Sequence, residues 1–372
     1  MRTVYRFFHG HMVLTIALLV ALITMVIVPP DLTYFDYIDF KTLFCLFATL
    51  LVVCALKNIH FFTFISRKIV HATPNLRICI LALLYITFIG SLFIANDMAL
   101  ITFLPLGYFV LSDTGNHKYM AWVFVLQNIA ANLGGMLTPF GNPQNLYLYT
   151  KFNIPTLEFM GIMVLPFLLA VLMLTLSVLF FPKTKMTLTV GEDRIEFKPK
   201  RTAIYIVLFL VSILAVFSVV HYLIATAIIA VGIFIADKKA FLKVDYPLLL
   251  TFLMFFIFAG NMSRIDVIRD FMSGLLEKNT LIVSALSCQV ISNVPSAVLL
   301  SQFTDNYRSL LLGVNIGGTG TIIASLASLI TFSEFSRYQP KNKKKYFGIF
   351  TLLNVIFLIV LLIFCVFLEK FL

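Results

Sequence analysis

Apolar runs of helix length recur from one end of the chain to the other, separated by short loops that carry most of the charge. The runs 12–28, 43–56, 157–181, 204–220, 222–236 and 248–259, with a last one ending near Leu372, predict membrane-spanning helices. Two further stretches of spanning length, 122–149 and 310–332, are interrupted by helix-breaking residues. Gly134, Gly135, Pro139, Gly141 and Pro143 in the first, and Gly317, Gly318 and Gly320 in the second, remove helix propensity, and each proline also removes a backbone donor. Both are therefore expected to unwind within the span.

Two other apolar stretches, 78–111 and 281–303, are each broken once by polar residues, Asn96-Asp97 and Ser292-Asn293. The halves of the second stretch would reach at most about 17 Å as helices, against a hydrocarbon core of about 30 Å. They are expected to dip in and out as a re-entrant hairpin, its polar tip buried in protein or lining a wet cavity. The first stretch is longer and its length also allows two crossings; the hairpin there follows from a repeat in the sequence. Asn132-Leu133-Gly134-Gly135 is followed by Thr138, Asn142 and Asn145, and Asn315-Ile316-Gly317-Gly318 is followed at the same offsets by Thr321, Ser325 and Ser328.

The charges orient the chain. With Arg2 and Arg6 inside, the basic loops around Lys57–Arg77, Lys183–Arg201, Lys238–Lys243 and Arg337–Lys345 all fall on one side, and Asp31, Asp36 and Asp39 fall on the other. Ile59 to Ala72, with phenylalanines set against Arg67, Lys68 and His71, suits a helix lying along the inner interface; Arg264 to Lys278 is its counterpart. The expected organisation is a first repeat over 1–182, a cytoplasmic loop and linking span over 183–220, and a second repeat over 221–372 in inverted topology. That gives about nine transmembrane helices, two re-entrant hairpins and two broken helices, with the N-terminus inside and the C-terminus outside.

Composition fixes the solvent. The chain has 372 residues, 60% hydrophobic and 12% charged, with a mean hydropathy of +1.00, which places an all-α polytopic protein in lipid and leaves no room for a barrel's alternating strands. A net charge of +11 is spread over short loops, not gathered on a folded basic domain, so nucleic acid is not an expected partner. The five cysteines show no CxxC pair and no metal-ligand spacing. The first run mimics a signal peptide, but Pro29, Pro30 and Asp31 stand where small residues would be needed for cleavage. No HExxH, GxSxG, Walker-type or dinucleotide-binding loop is present, and an enzyme is not expected.

Unwound backbone within a membrane can offer carbonyls to a cation, and half-helix N-termini can offer N–H groups to an anion. The candidate substrate- and ion-binding residues are Asn96, Asp97, Asn132, Thr138, Gly141, Asn142, Gln144 and Asn145 in the first half. Ser292, Asn293, Asn315, Thr319, Thr321 and Ser325 are their counterparts in the second. A sodium ion is expected at Asn96, Asp97, Asn142 and Asn293, with Na+ or H+ as coupling ion and no other cofactor. Asp97 is the one carboxylate placed near mid-membrane, where a charge costs at least about 2.5 kcal/mol and marks an ion pathway, unless it is protonated or caps the helix that follows. Asn128, one turn before Asn132, extends the polar stripe. The competing reading of the glycine pairs is close helix packing through small residues.

Ala95-Asn96-Asp97 with Ala99, the run Asn132 to Asn145, and Ile291-Ser292-Asn293-Val294-Pro295 resemble the ion transporter superfamily. The closer resemblance is to its citrate-transporter-like permeases, which are related to arsenite efflux pumps, sodium/proton antiporters and divalent anion/sodium symporters. The resemblance covers nearly the whole chain. It implies inverted repeats, two hairpins, two unwound helices, a homodimer, a bacterial inner-membrane location and an elevator-like movement of the site-bearing half. The dicarboxylate symporters place Ser-Asn-Thr at both hairpin tips; here the tips read Ala95-Asn96-Asp97 and Ser292-Asn293-Val294, so the carboxylate-reading threonines are missing. The first tip is more similar to the arsenite efflux branch. The expected function is cation-coupled transport of a small anion such as citrate, another carboxylate or an oxyanion. The alternative is arsenite efflux or sodium/proton antiport using Asp97.

Overall fold

The computed structural model describes residues 12–185 and 197–370. Arg2 and Arg6, on which the inside N-terminus rests, lie outside the described residues, as does Arg194. The first half contains α1 (Met12–Ile27), α2 (Phe40–Asn58), α3 (Phe61–His71), α4 (Leu76–Ser91), α5 (Asn96–Asp113), α6 (Met120–Gly134), α7 (Pro143–Lys151) and α8 (Thr156–Val178). Then come α9 (Pro199–Val216), α10 (Tyr222–Ala236), α11 (Tyr246–Ser263), α12 (Asp266–Ile291), α13 (Asn293–Leu300), α14 (Tyr307–Ile316), α15 (Leu326–Tyr338) and α16 (Lys343–Leu368). Among the described residues there is no strand, only an isolated bridge between Asn75 and Lys185.

Among the described residues, six stretches are long and apolar enough to cross a bilayer: Leu32–Asn58, His117–Leu137, Thr156–Val178, Pro199–Val216, Tyr246–Ser263 and Pro340–Leu368. Met12–Ile27, Leu76–Ser91 and Tyr222–Ala236 are shorter apolar helices. Leu168 and Leu172 on α8, Val231 and Ile235 on α10, and Ile359 and Ile363 on α16 are all exposed. Such faces suit lipid and not water, so the fold is that of an all-α polytopic membrane protein.

Both expected breaks are present. Helices α4 and α5, of 16 and 18 residues, meet across 92–95 and reach about 24 and 27 Å. Helix α12 bends at Asn279, whose φ of −167° and ψ of 92° are non-helical. The Asn279 Oδ1 accepts the Ile282 amide at 2.8 Å and so caps the segment 280–291. That segment and the eight-residue α13 reach only about 18 and 12 Å. Residues 266–278 are then a separate amphipathic helix, as α3 is in the first half.

Contacts between elements occur in corresponding pairs. Helix α1 packs on α11 and α10 on α2; α4 on α6 and α12 on α14; α5 on α15 and α13 on α7; α6 on α15 and α14 on α7. Each first segment of a broken helix thus lies beside the second segment of the other. Helices α2 and α11 both start on an aspartate N-cap, Asp39 accepting from the Thr42 amide and Asp245 from the Leu248 amide. Polar ties join the loop before each of these helices to the end of the other. Arg264 at the end of α11 reaches Asp31 at 2.8 Å and also donates to Thr33 and Tyr37. The Thr33 hydroxyl and then Arg264 hold the Asp31 carboxyl below the usual carboxylate range. At the end of α2, Asn58 donates to Asp237 at 2.7 Å and accepts from Lys243 at 2.6 Å.

Candidate functional site

The two hairpin turns are built alike. Helix α5 starts at Asn96 and α13 at Asn293, and in each the asparagine Oδ1 accepts the next backbone amide, of Asp97 or Val294, at 2.9 Å. The broken helices restart alike too. Asn142 before α7 and Ser325 before α15 are both extended, with φ, ψ of −134°, 146° and −147°, 142°.

The unwound segments are clasped to the hairpins at matching positions. The Thr138 hydroxyl donates to the Leu92 carbonyl, and the Thr321 hydroxyl to the Gln289 carbonyl, both at 2.9 Å. Leu92 and Gln289 each lie four residues before the tip asparagine. Four residues earlier again, Gly134 sits against the Phe88 backbone and Gly317 against Ala285, so closely that a Cβ would come within 2.9 Å of Phe88 Cα or 3.0 Å of Ala285 Cα. Gly141 has the same need, since its Cβ would meet the Gly135 carbonyl at 2.3 Å.

Several of the candidate residues also make contacts within the protein. Thr138 and Thr321 serve as clasps, and the Thr319 hydroxyl donates to the Ile316 carbonyl. Several carbonyls of the unwound segments accept hydrogen bonds from side chains. Gln289 Nε2 donates to those of Gly317 and Thr319, and Gln289 Oε1 accepts the Thr321 amide. Asn145 Nδ2 donates to those of Gly135, Met136 and Thr138. Gln289 was not among the expected residues; a single glutamine in an apolar run gives no sign that it will fold back over a loop nearly thirty residues later.

Asn132 joins the parts. Its Oδ1 accepts from Asn96 Nδ2 at 2.9 Å and from Ser325 Oγ at 2.8 Å, and its carbonyl accepts from Asn142 Nδ2 at 3.2 Å. The second hairpin enters through Asn293, whose amide donates to the Ala324 carbonyl at 2.9 Å beside Ser325, with the Ser292 hydroxyl donating to that carbonyl at 3.3 Å. Asn293 Nδ2 and Asn132 Oδ1 both border Gly318, at 3.1 and 3.9 Å from where its Cβ would be. Asn315 donates to Asn145 Oδ1 at 2.6 Å. One turn along α6, Asn128 donates to Ser328 at 3.2 Å and accepts from Thr331 at 3.4 Å. The N-termini of α5, α7, α13 and α15 are thereby tied into one network with the ends of α6 and α14.

Asn96, Asn132, Asn142, Gln144, Asn145, Asn293, Asn315 and Ser325 are all buried, yet several of their polar atoms have no protein partner. These are Asn132 Nδ2, Asn142 Oδ1, Gln144 Oε1 and Asn315 Oδ1, to which Asp97 Oδ1 adds a fifth. Each such atom costs about 1–3 kcal/mol unless something else satisfies it. Four of the five are oxygens of the kind that ligate a hard cation, and the amide nitrogen and helix N-termini suit an anion. Of the expected sodium ligands, Asn96 and Asn293 spend Oδ1 on their own backbone, whereas Asp97 and Asn142 each keep an unpartnered oxygen. The N-cap of α5 is Ala95, which offers no side-chain cap bond. The four segments 92–100, 132–145, 289–296 and 315–328 contain no lysine or arginine.

A family profile described as citrate transporter matches residues 8–309. An uncharacterized transporter of Methanocaldococcus jannaschii is 34% identical over 296 residues, 79% of this chain and 80% of the relative. The inner membrane protein YbiR of Escherichia coli is 28% identical over 299 residues, 78% of each chain. An uncharacterized transporter of Haemophilus influenzae is 28% identical over 183 residues, 48% of this chain and 40% of that one.

Proposed function

The chain belongs to the citrate transporter family, and from that premise we propose that it is a secondary active transporter of a small anion, citrate, another carboxylate or an oxyanion, driven by sodium or protons. The single observation that carries this reading is the buried Asn132 network, in which four helix N-termini meet unpartnered amide and carboxyl oxygens without a basic side chain. Helix ends attract the anion, and a co-bound cation on the oxygens offsets the rest of its charge.

The matched clasps and helix pairings support inverted repeats over 1–182 and 221–372. The cross-tied helices α1, α2, α10 and α11 suit a static frame, against which the hairpins and broken helices move in an elevator-like step. Reconstituted protein should accumulate a labelled carboxylate or oxyanion when a sodium or proton gradient is imposed. Uptake of the whole anion panel at equal rates with and without either gradient would refute coupling.

A second reading, antiport or arsenite efflux through Asp97, is favoured by the buried Asp97 Oδ1 that has no partner. Asp97→Asn separates them in part. Under antiport pH-dependent exchange is lost in the variant; exchange that persists removes the antiport role.

A further inference from the structure

On the basic face, between the start of α6 and the start of α16, lies a pocket of about 270 Å³ lined by His117, Lys118, Ala121, Gln339, Asn342 and Lys345. Three of these six can carry positive charge and none is a carboxylate. The pocket wall is held in shape by Gln339, which donates to the His117 carbonyl at 3.3 Å and accepts from Asn342 at 2.9 Å. Adjoining it, an apolar cleft of about 460 Å³ runs between α6, α8 and α16, bordered by Tyr119, Trp122, Leu126, Phe180 and Ile356 among others.

The two cavities share the stretch 118–122, the turn before α6 and its first residues. Lys118 and Ala121 line the upper one, Tyr119 and Trp122 the lower. Along α16, Lys345 lines the upper and Leu352 the lower, a separation of about 10 Å at 1.5 Å per residue. A cationic pocket stacked on an apolar cleft at that spacing matches the phosphate and the upper acyl chains of one phospholipid. We propose that this is a binding site for a single anionic phospholipid, its headgroup held by Lys118, Lys345 and His117 and its chains seated in the cleft. Charge complementarity selects the occupant, since a zwitterionic headgroup would bring its own cation among three basic groups. The site is separate from the asparagine network and lies outside the proposed transport path.

Trp122 is the only tryptophan in the chain and borders the cleft, so its fluorescence reports occupancy directly. The protein is reconstituted into phosphatidylcholine vesicles containing increasing fractions of either acyl-brominated phosphatidylglycerol or acyl-brominated phosphatidylcholine. Bromine quenches Trp122 only when the lipid is adjacent. Half-maximal quenching is expected at a phosphatidylglycerol fraction at least about tenfold lower than for phosphatidylcholine. Lys118→Gln and Lys345→Gln should each reduce that preference about five-fold, the equivalent of about 1 kcal/mol per lysine near a membrane surface. A paired control, Lys343→Gln with Lys344→Gln, removes two charges from the same basic run but not from the pocket, and should leave the preference within about twofold. Equal quenching by the two lipids, or an equal loss in the control, overturns the proposal.

Discussion

Gly134 connects the packing of α6 on α4 to the geometry of the asparagine network, and Gly134→Ala tests that connection. A Cβ at this position would lie 2.2 Å from the Phe88 carbonyl oxygen and 2.9 Å from Phe88 C and Cα, all backbone atoms that no rotamer change can remove. Bringing 2.2 Å to an ordinary contact of 3.4 Å requires α6 to retreat by about 1.2 Å. Overpacking of this kind costs about 1–3 kcal/mol, and a backbone clash this short belongs at the upper end. Asn132, two residues before Gly134, would move with the helix. Its 2.9 Å bond from Asn96 would then stretch beyond bonding range, losing about 1 kcal/mol more. The expected destabilisation is about 3–4 kcal/mol. Gly161→Ala in α8 is the reference, since a Cβ there meets nothing within 4 Å and the substitution should stabilise by about 0.5–1 kcal/mol through helix propensity. Gly317→Ala falls between, its nearest neighbours being the Gly313 carbonyl at 2.6 Å and the Cys288 sulfur at 2.9 Å. Thermal loss of the monodisperse species in detergent should therefore rank Gly161→Ala above the parent, then Gly317→Ala, then Gly134→Ala. A Gly134→Ala protein that melts with Gly161→Ala would show that α6 does not rest on α4 at this point, and the Asn96–Asn132 contact would lose its support.

Thr138→Val and Thr321→Val each remove one clasp while keeping the side-chain shape. Each should cost about 1 kcal/mol in thermal stability, with Thr→Ser restoring it; equal melting of valine and serine variants would show that the hydroxyls do not hold the unwound loops. Ser292 adopts φ 75° and ψ 158°, a region open almost solely to glycine, at a typical cost of about 1–3 kcal/mol. Ser292→Gly should raise the melting temperature despite the lost hydroxyl contact to Ala324, and a lowered one would mean that this bond outweighs the strain.

The helices, the two interruptions and the tip asparagines were legible because each leaves a mark in the sequence itself: an apolar run, a glycine or proline, a polar residue in a lipid-like context. The break at Asn279 falls at the predicted junction between residues 278 and 281 for the same reason. The hydrogen-bond partners of the threonines were not legible. Position alone marks Thr138 and Thr321 as polar and in register, but whether a hydroxyl faces a ligand or a neighbouring carbonyl depends on how closely two helices approach, which Gly134 and Gly317 decide. Gln289 escaped for a related reason: its side chain takes up backbone carbonyls that become available only once the helix nearly thirty residues away has unwound.

The absence of lysine and arginine from all four central segments has an electrical consequence. Under the proposed transport cycle these four segments bring no basic side chain into the membrane field and Asp97 is the one carboxylate they hold, so a voltage of 100 mV does on the unloaded segments either no work or at most about 2.3 kcal/mol of it. Under the same proposal, voltage-sensitivity of the unloaded step reads out the protonation of that carboxylate, and that of the loaded step the number of cations accompanying each anion.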